Sequence, residues 1–162
     1  MNYEDWEKGV PEVIRVDSLW KMEAYRLSLF IGDVGWLDAT KLMQDRRTVA
    51  LSDQLYRALG SISANLAEGY SHGTGKNRAR YYDYSLGSAR ESRDWYYKGR
   101  HILGESITHH RLSFLTQIVW LLLTMIPQQR QHILREEGQL YQVGHSDFNS
   151  TGKLLKDIPL PQ

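Results

Sequence analysis

The sequence predicts an all-α fold: an antiparallel up-down four-helix bundle with an irregular N-terminal arm and a C-terminal tail. Three observations predict it. Apolar residues recur at spacings of three and four through four long stretches. No strand-length run alternates with period two. The stretches are joined by short connections, the usual link between antiparallel neighbours. At 162 residues the chain is expected to be one domain with tails, long enough to bury a sizeable core.

Residues 1–16 read as the irregular arm. Pro11 breaks regularity, and Val13, Ile14 and Val16 do not follow a helical period. Asp17 or Ser18 then supplies an N-cap for a first helix striped by Trp20, Ala24, Leu27, Ile31 and Val34. Gly32 and Gly35 weaken its end, and 36–48 reads as a loop or a short helical turn. The second helix is expected from about Thr48 to Glu68, with Thr48 or Ser52 as possible cap. Its stripe is Leu51, Leu55, Ala58, Leu59, Ile62 and Leu66, and Gly69 is expected to stop it as a left-handed residue. Ser71–Gly75 is a turn cluster. The third helix is expected from about Lys76 to Leu103. The fourth is expected from about Thr108 to Leu134 or Arg135, striped by Leu112, Leu115, Val119, Leu122 and Ile126. Pro127 predicts a kink or a stop there. The bundle thus spans 17–135. Residues 136–162 read as a mobile tail, with Leu154, Leu155, Ile158 and Leu160 available for docking.

Within the second helix lies Ser61-Ile62-Ser63-Ala64-Asn65-Leu66-Ala67-Glu68-Gly69. It closely resembles the Ser-Ile-x-x-Asn-Ile-Ala-Glu-Gly signature of a family of four-helix bundle proteins. That family includes the 23S rRNA intervening sequence proteins and the accessory variability proteins of diversity-generating retroelements. Trp20-Lys21-Met22-Glu23-Ala24-Tyr25-Arg26-Leu27 is similar to the family's first-helix opening. Tyr81-Tyr82-Asp83-Tyr84-Ser85-Leu86-Gly87-Ser88-Ala89-Arg90-Glu91 is similar to its third-helix Phe-Leu-x-x-Ala-x-Gly-Ser-x-x-Glu segment. The resemblance covers roughly residues 18–126. Tyr81-Tyr82 stands where Phe-Leu is usual, and Ser92 where an apolar residue often follows the Glu, so the third helix is more polar than the pattern. The resemblance implies the same bundle fold and a ring-like homo-oligomer, commonly a pentamer, with a basic surface or channel. For the retroelement branch it also implies partnership with a reverse transcriptase and its template RNA.

Twenty basic and nineteen acidic residues leave the chain nearly neutral, which argues against a polycationic coat. The distribution is uneven. Residues 1–45 hold five Lys/Arg against nine Asp/Glu, and residues 72–111 hold eight against four, so a local basic face is available. There is no cysteine, hence no disulfide or thiolate metal site, which fits a cytoplasmic location. The acidic N-terminus has no apolar core of a signal peptide. The longest apolar run, Val119–Leu123, is too short to span a bilayer, so no membrane partner is expected. Five Trp and ten Tyr suggest large amphipathic contact surfaces in the core or between subunits, consistent with self-association.

Function is expected on the third helix. Tyr81, Ser85, Ser88, Ala89, Ser92, Tyr96, Gly99 and Leu103 share one side, whose small residues admit a close helix or line a ligand groove. The neighbouring flank carries Leu86, Arg90, Arg93, Tyr97 and Arg100. Guanidinium groups pair with phosphates and a tyrosine stacks on a base, so this flank suits nucleic acid. The plainer account is a solvated face, or ion pairs with Glu91, Asp94 and Glu105. Lys76, Arg78 and Arg80 place positive charge at the helix N-terminus, where the macrodipole favours anions.

In the signature, Ser61, Ile62, Asn65, Ala67, Glu68 and Gly69, and likewise Gly87 and Ser88, read as structural. Asn65 is expected to bond a neighbouring backbone group, and Glu68 to pair with an arginine or cap a helix.

No catalytic constellation is evident. None of His72, His101, His109, His110, His132 and His145 forms a His-x-x-x-His pair, and no Glu-x-x-His occurs, so neither metal nor cofactor is expected. Gly73-Thr74-Gly75-Lys76 lacks the spacing and the preceding strand of a phosphate loop. The function expected is therefore non-enzymatic: a self-assembling bundle that binds RNA or DNA, or a nucleic-acid enzyme such as a reverse transcriptase. The alternative is a protein–protein scaffold without a nucleic-acid role.

Overall fold

The computed structural model describes residues 2–130, 151–156 and 158–161, and every regular element among them is helical. In chain order these are α1 (Tyr3–Gly9), α2 (Glu12–Arg15), a 3-10 turn (Ser18–Lys21), α3 (Glu23–Leu42), α4 (Val49–Ser71), α5 (Gly75–Leu103), α6 (Glu105–Gln129) and α7 (Thr151–Lys156). The four long helices α3–α6 pack around a common core. It includes Phe30, Ile31, Leu42, Leu55, Leu59, Ile62, Leu66, Tyr82, Tyr96, Leu115, Ile118 and Leu122. These are the stripes that a 3.6-residue period lays on one face of each helix.

The N-terminal arm is not irregular. Asn2 caps α1 by accepting from the Asp5 amide at 2.9 Å. Tyr3 and Trp6 then pack on Phe30 with ring centroids 5.2 and 5.1 Å away. The Trp6 indole also donates to Asp33 at 2.6 Å. One short helix anchored by two aromatics has no period to read, which is why the sequence pattern missed it.

Asp17 does act as a cap, accepting from the Leu19 amide at 2.8 Å, but it opens the 3-10 turn. The first long helix then continues through residues 36–42, where a loop or a short helical turn was expected. Gly35 does not end it: a Cβ there would lie 2.2 Å from Leu59 Cδ1. This glycine lets α3 and α4 approach. Thr48 makes no side-chain cap for α4; its hydroxyl donates to the Leu42 carbonyl at 2.6 Å and so ties the two ends of the connection.

Gly69 is also inside its helix rather than at a left-handed stop, because α4 runs on to Ser71. A Cβ on Gly69 would lie 2.8 Å from Tyr82 and 2.9 Å from Tyr81, so this glycine serves the α4–α5 contact. Among the described residues the positive-φ glycine is Gly104, at φ 84°. It alone joins α5 to α6, and α6 therefore starts three residues before Thr108.

Pro127 lies inside α6, which ends two residues later at Gln129, so the missing hydrogen bond falls within the final turns. The expected extension to Leu134 or Arg135 lies outside the described residues, as do residues 136–150 of the expected tail. The described part of the tail docks. Leu154 and Leu155 pack against the core and Ile158 is buried within it, while Leu160 stays exposed. By length and composition α6 is long and apolar enough to cross a membrane, a property that short apolar runs had not revealed. Much of that apolarity has a bundle role: Ile107, Phe114, Leu115, Ile118, Val119, Leu122 and Ile126 are buried against the other helices.

Candidate nucleic-acid interface

α5 carries the candidate residues, and packing fixes which of its sides is free. Thr74 caps it, accepting from the Asn77 amide at 3.4 Å. Ser85, Ala89, Ser92, Tyr96, Gly99 and Leu103 are buried, and the Ser85 hydroxyl donates to the Ile62 carbonyl of α4 at 2.9 Å. A Cβ on Gly99 would sit 3.1 Å from Leu42. The small-residue side is thus filled by neighbouring helices, and the ligand-groove alternative has no room there.

The flank beside it stays partly open. Leu86 is buried, Arg90 is exposed, Arg93 is half-buried and Tyr97 is 54% exposed. The Arg100 guanidinium lies 4.1 Å from the Tyr97 ring centroid and donates to the Tyr97 carbonyl at 2.7 Å. Among the described residues, the buried Arg93 Nε has no acceptor. Among the described residues none of these three arginines forms an ion pair with Glu91, Asp94 or Glu105. Asp94 instead pairs with Lys98 at 2.5 Å, and Glu91 accepts from the Trp95 indole at 3.1 Å. Three guanidinium groups with no carboxylate partner among the described residues, and a half-exposed phenol, therefore share about 15 Å of one helix.

The cations at the start of α5 do not extend this row. Arg78 is half-buried and donates to the His72 carbonyl at 2.8 Å, closing the α4–α5 turn. Arg80 is exposed and donates to the Tyr84 hydroxyl at 2.8 Å. At about 100° per residue it lies roughly 200° around the helix from Arg100, on another face. Lys76 is exposed at the N-terminus of the helix, more than six turns from Arg100.

The signature residues make local contacts. Ile62 is fully buried, and the Asn65 amide donates to the Ser61 carbonyl at 2.7 Å. The Ala67 carbonyl accepts from Ser71 at 2.9 Å, and that of Tyr84 from Ser88 at 3.0 Å. Glu68 is exposed and stands by the Tyr81 hydroxyl; among the described residues it pairs with no arginine. Interaction with the Glu68 carboxylate, first among its causes, raises the Tyr81 pKa. Gly87 is exposed, with nothing within 4 Å of where a Cβ would lie.

Sequence reasoning missed a buried polar network. Arg111 donates to Asp38 through Nε at 2.7 Å and a terminal nitrogen at 3.0 Å, both side chains fully buried. The Tyr96 hydroxyl donates to the same carboxylate at 2.8 Å. Burial, then the Asp38 charge, pushes the Tyr96 phenol well above its ordinary value. His110 stands 3.0 Å from another Arg111 nitrogen. A signal existed: Arg111 sits at core spacing between Ile107 and Phe114, where an isolated charge demands a partner. Among the described residues no three His, Asp or Glu side chains gather as a metal site.

The model of the 23S rRNA-intervening sequence protein family matches residues 21–117, more than half of the chain, and the chain belongs to that family. The match runs from the end of the 3-10 turn into α6 and takes in Asp38, the signature, all of α5 and Arg111. Comparison with curated proteins gives no match, and neither does comparison with solved structures.

Proposed function

We propose that this member of the 23S rRNA-intervening sequence protein family is a non-enzymatic, self-assembling helical bundle that binds nucleic acid. The observation that carries this reading is the row Arg90, Arg93, Tyr97 and Arg100 on α5, cationic and unpaired with carboxylate among the described residues. Phosphates are the ligand such a row suits, and a half-exposed tyrosine adds stacking. The family's name, tied to rRNA, points in the same direction. α3–α6 are taken as an antiparallel up-down bundle. The three-residue connection between α4 and α5, and the single residue between α5 and α6, support that topology.

In a symmetric ring, commonly a pentamer in the family this chain resembles, each arginine row repeats, so weak contacts sum. A reverse transcriptase with its template RNA is the protein partner this reading allows, in the cytoplasm and away from membranes. The test is binding of a labelled structured RNA at rising salt. Affinity should fall steeply between about 50 and 200 mM, because each neutralised phosphate releases counterions. No binding at the lower salt would overturn the reading.

A second reading is a protein–protein scaffold. It is favoured by the exposed pair Trp36 and Tyr56, whose rings meet edge-on at 5.5 Å on α3 and α4. Light scattering should give a mass well above the 18.8 kDa of one chain under either reading; only the first also requires RNA.

A further inference from the structure

The C-terminal segment is held at two backbone carbonyls by neighbouring residues of α6. His110 Nε2 lies 2.7 Å from the Leu154 carbonyl oxygen, and an Arg111 terminal nitrogen donates to the Pro159 carbonyl at 2.7 Å. Ile158 is buried beside them. α7 has six residues, too few to be stable in isolation, so its place depends on this docking.

The geometry fixes the protonation state of His110. Its Nδ1 lies 3.0 Å from Arg111, and a guanidinium only donates. Nδ1 must therefore offer its lone pair, and the single ring proton sits on Nε2, donating to Leu154. A second proton would go to Nδ1, facing a donor and a like charge. Arg111 has no freedom to turn away, because Asp38 grips it twice and Tyr96 grips Asp38. The imidazole must move instead, and its bond to Leu154 goes with it.

We propose that the segment carrying Leu154 and Pro159 is a proton-operated latch, closed while His110 is neutral and released when His110 takes its second proton. Among the described residues, the charged groups that act on His110 are Arg111 and His109 on α6 and Asp38 on α3; Tyr96 on α5 meets the Asp38 carboxylate as a neutral phenol. Burial lowers the His110 pKa below its ordinary 6.5; Arg111 and His109 act the same way, against the Leu154 carbonyl and Asp38. The latched state therefore binds fewer protons than the released one once pH falls below that value, so acid favours release. The latch works whether or not the bundle binds nucleic acid.

Hydrogen exchange on the full-length protein tests it, between about pH 7.5 and 5.0, with intrinsic rates corrected. The amides of α7, Ile158 and Leu160 should lose protection severalfold at the acid end while α4 keeps its own. In His110→Gln the amide still donates toward Leu154 and carries no charge, so this loss should vanish. Equal protection at both pH values in the unaltered protein, or the same loss in His110→Gln, overturns the proposal. Nitrogen NMR of the imidazole needs no variant: it should report the Nε2–H tautomer and a midpoint below 6.5. An Nδ1–H tautomer, or a midpoint at or above that value, overturns it equally.

Discussion

Asp38 and Arg111 lie 73 positions apart and meet in the core through two hydrogen bonds of 2.7 and 3.0 Å. Neither side chain reaches solvent. Removing one partner strands the other charge. Asp38→Ala should therefore destabilise the fold by about 3–5 kcal/mol, measured by urea denaturation. Asp38→Leu combined with Arg111→Met should recover most of that stability, since no lone charge remains. A cost below about 1 kcal/mol for the single change would show that water reaches the pair.

Gly69 and Gly60 make a controlled comparison on α4. Gly60 is exposed with no atom within 4 Å of where a Cβ would lie, so Gly60→Ala should stabilise by about 0.5–1 kcal/mol through helix propensity. Gly69→Ala has the same propensity gain but puts a methyl 2.8 Å from the Tyr82 ring. It should destabilise by about 1–3 kcal/mol. Thermal midpoints that move in the same direction for both would contradict the close α4–α5 approach.

Gly104 is tested by strain rather than space. Its φ of 84° and ψ of 164° lie in a region that is essentially reserved for glycine. Gly104→Ala should cost about 1–3 kcal/mol although no atom lies within 4 Å of the added carbon. Chemical denaturation that gives an unchanged midpoint would place this residue in another conformation.

Replacing Arg90, Arg93 and Arg100 together by Gln should weaken RNA binding and flatten its salt dependence. Each phosphate that is no longer neutralised takes about 0.9 off the log–log slope for a duplex ligand. Helicity and oligomeric mass should stay as they were, because none of the three pairs with a carboxylate among the described residues. Fluorescence anisotropy across a salt series reads both quantities, and an unaltered slope would move the binding surface elsewhere.

The helices that read well in the sequence are those whose burial repeats along one face. α5 was expected from Lys76 to Leu103 and runs from Gly75 to Leu103. Glycine was the poorest guide. Gly35 and Gly69 resemble helix breakers in a one-dimensional pattern, but their role is set by Leu59 and Tyr82, which the pattern cannot place beside them. Asp38 was hidden in a stretch expected as a loop or a short helical turn, because its partner is far away in sequence. In the interface, the spacing of Arg90, Arg93, Tyr97 and Arg100 was legible as one flank. Which cations already had acceptors was not, since the His72 carbonyl and Tyr84 hydroxyl that occupy Arg78 and Arg80 depend on backbone and rotamer.

The lone glycine between α5 and α6 also bears on the order in which the chain assembles. Helices joined by one or three residues meet at little loop-closure cost, so α4, α5 and α6 can pair early. The Pro159 carbonyl reaches Arg111 across 48 positions and has nothing to dock on until that hairpin and α3 have enclosed the guanidinium. Contacts made after the rate-limiting step leave folding rates unchanged and govern unfolding instead. Loosening the C-terminal segment should therefore shorten the lifetime of the native state while the protein folds as fast as before.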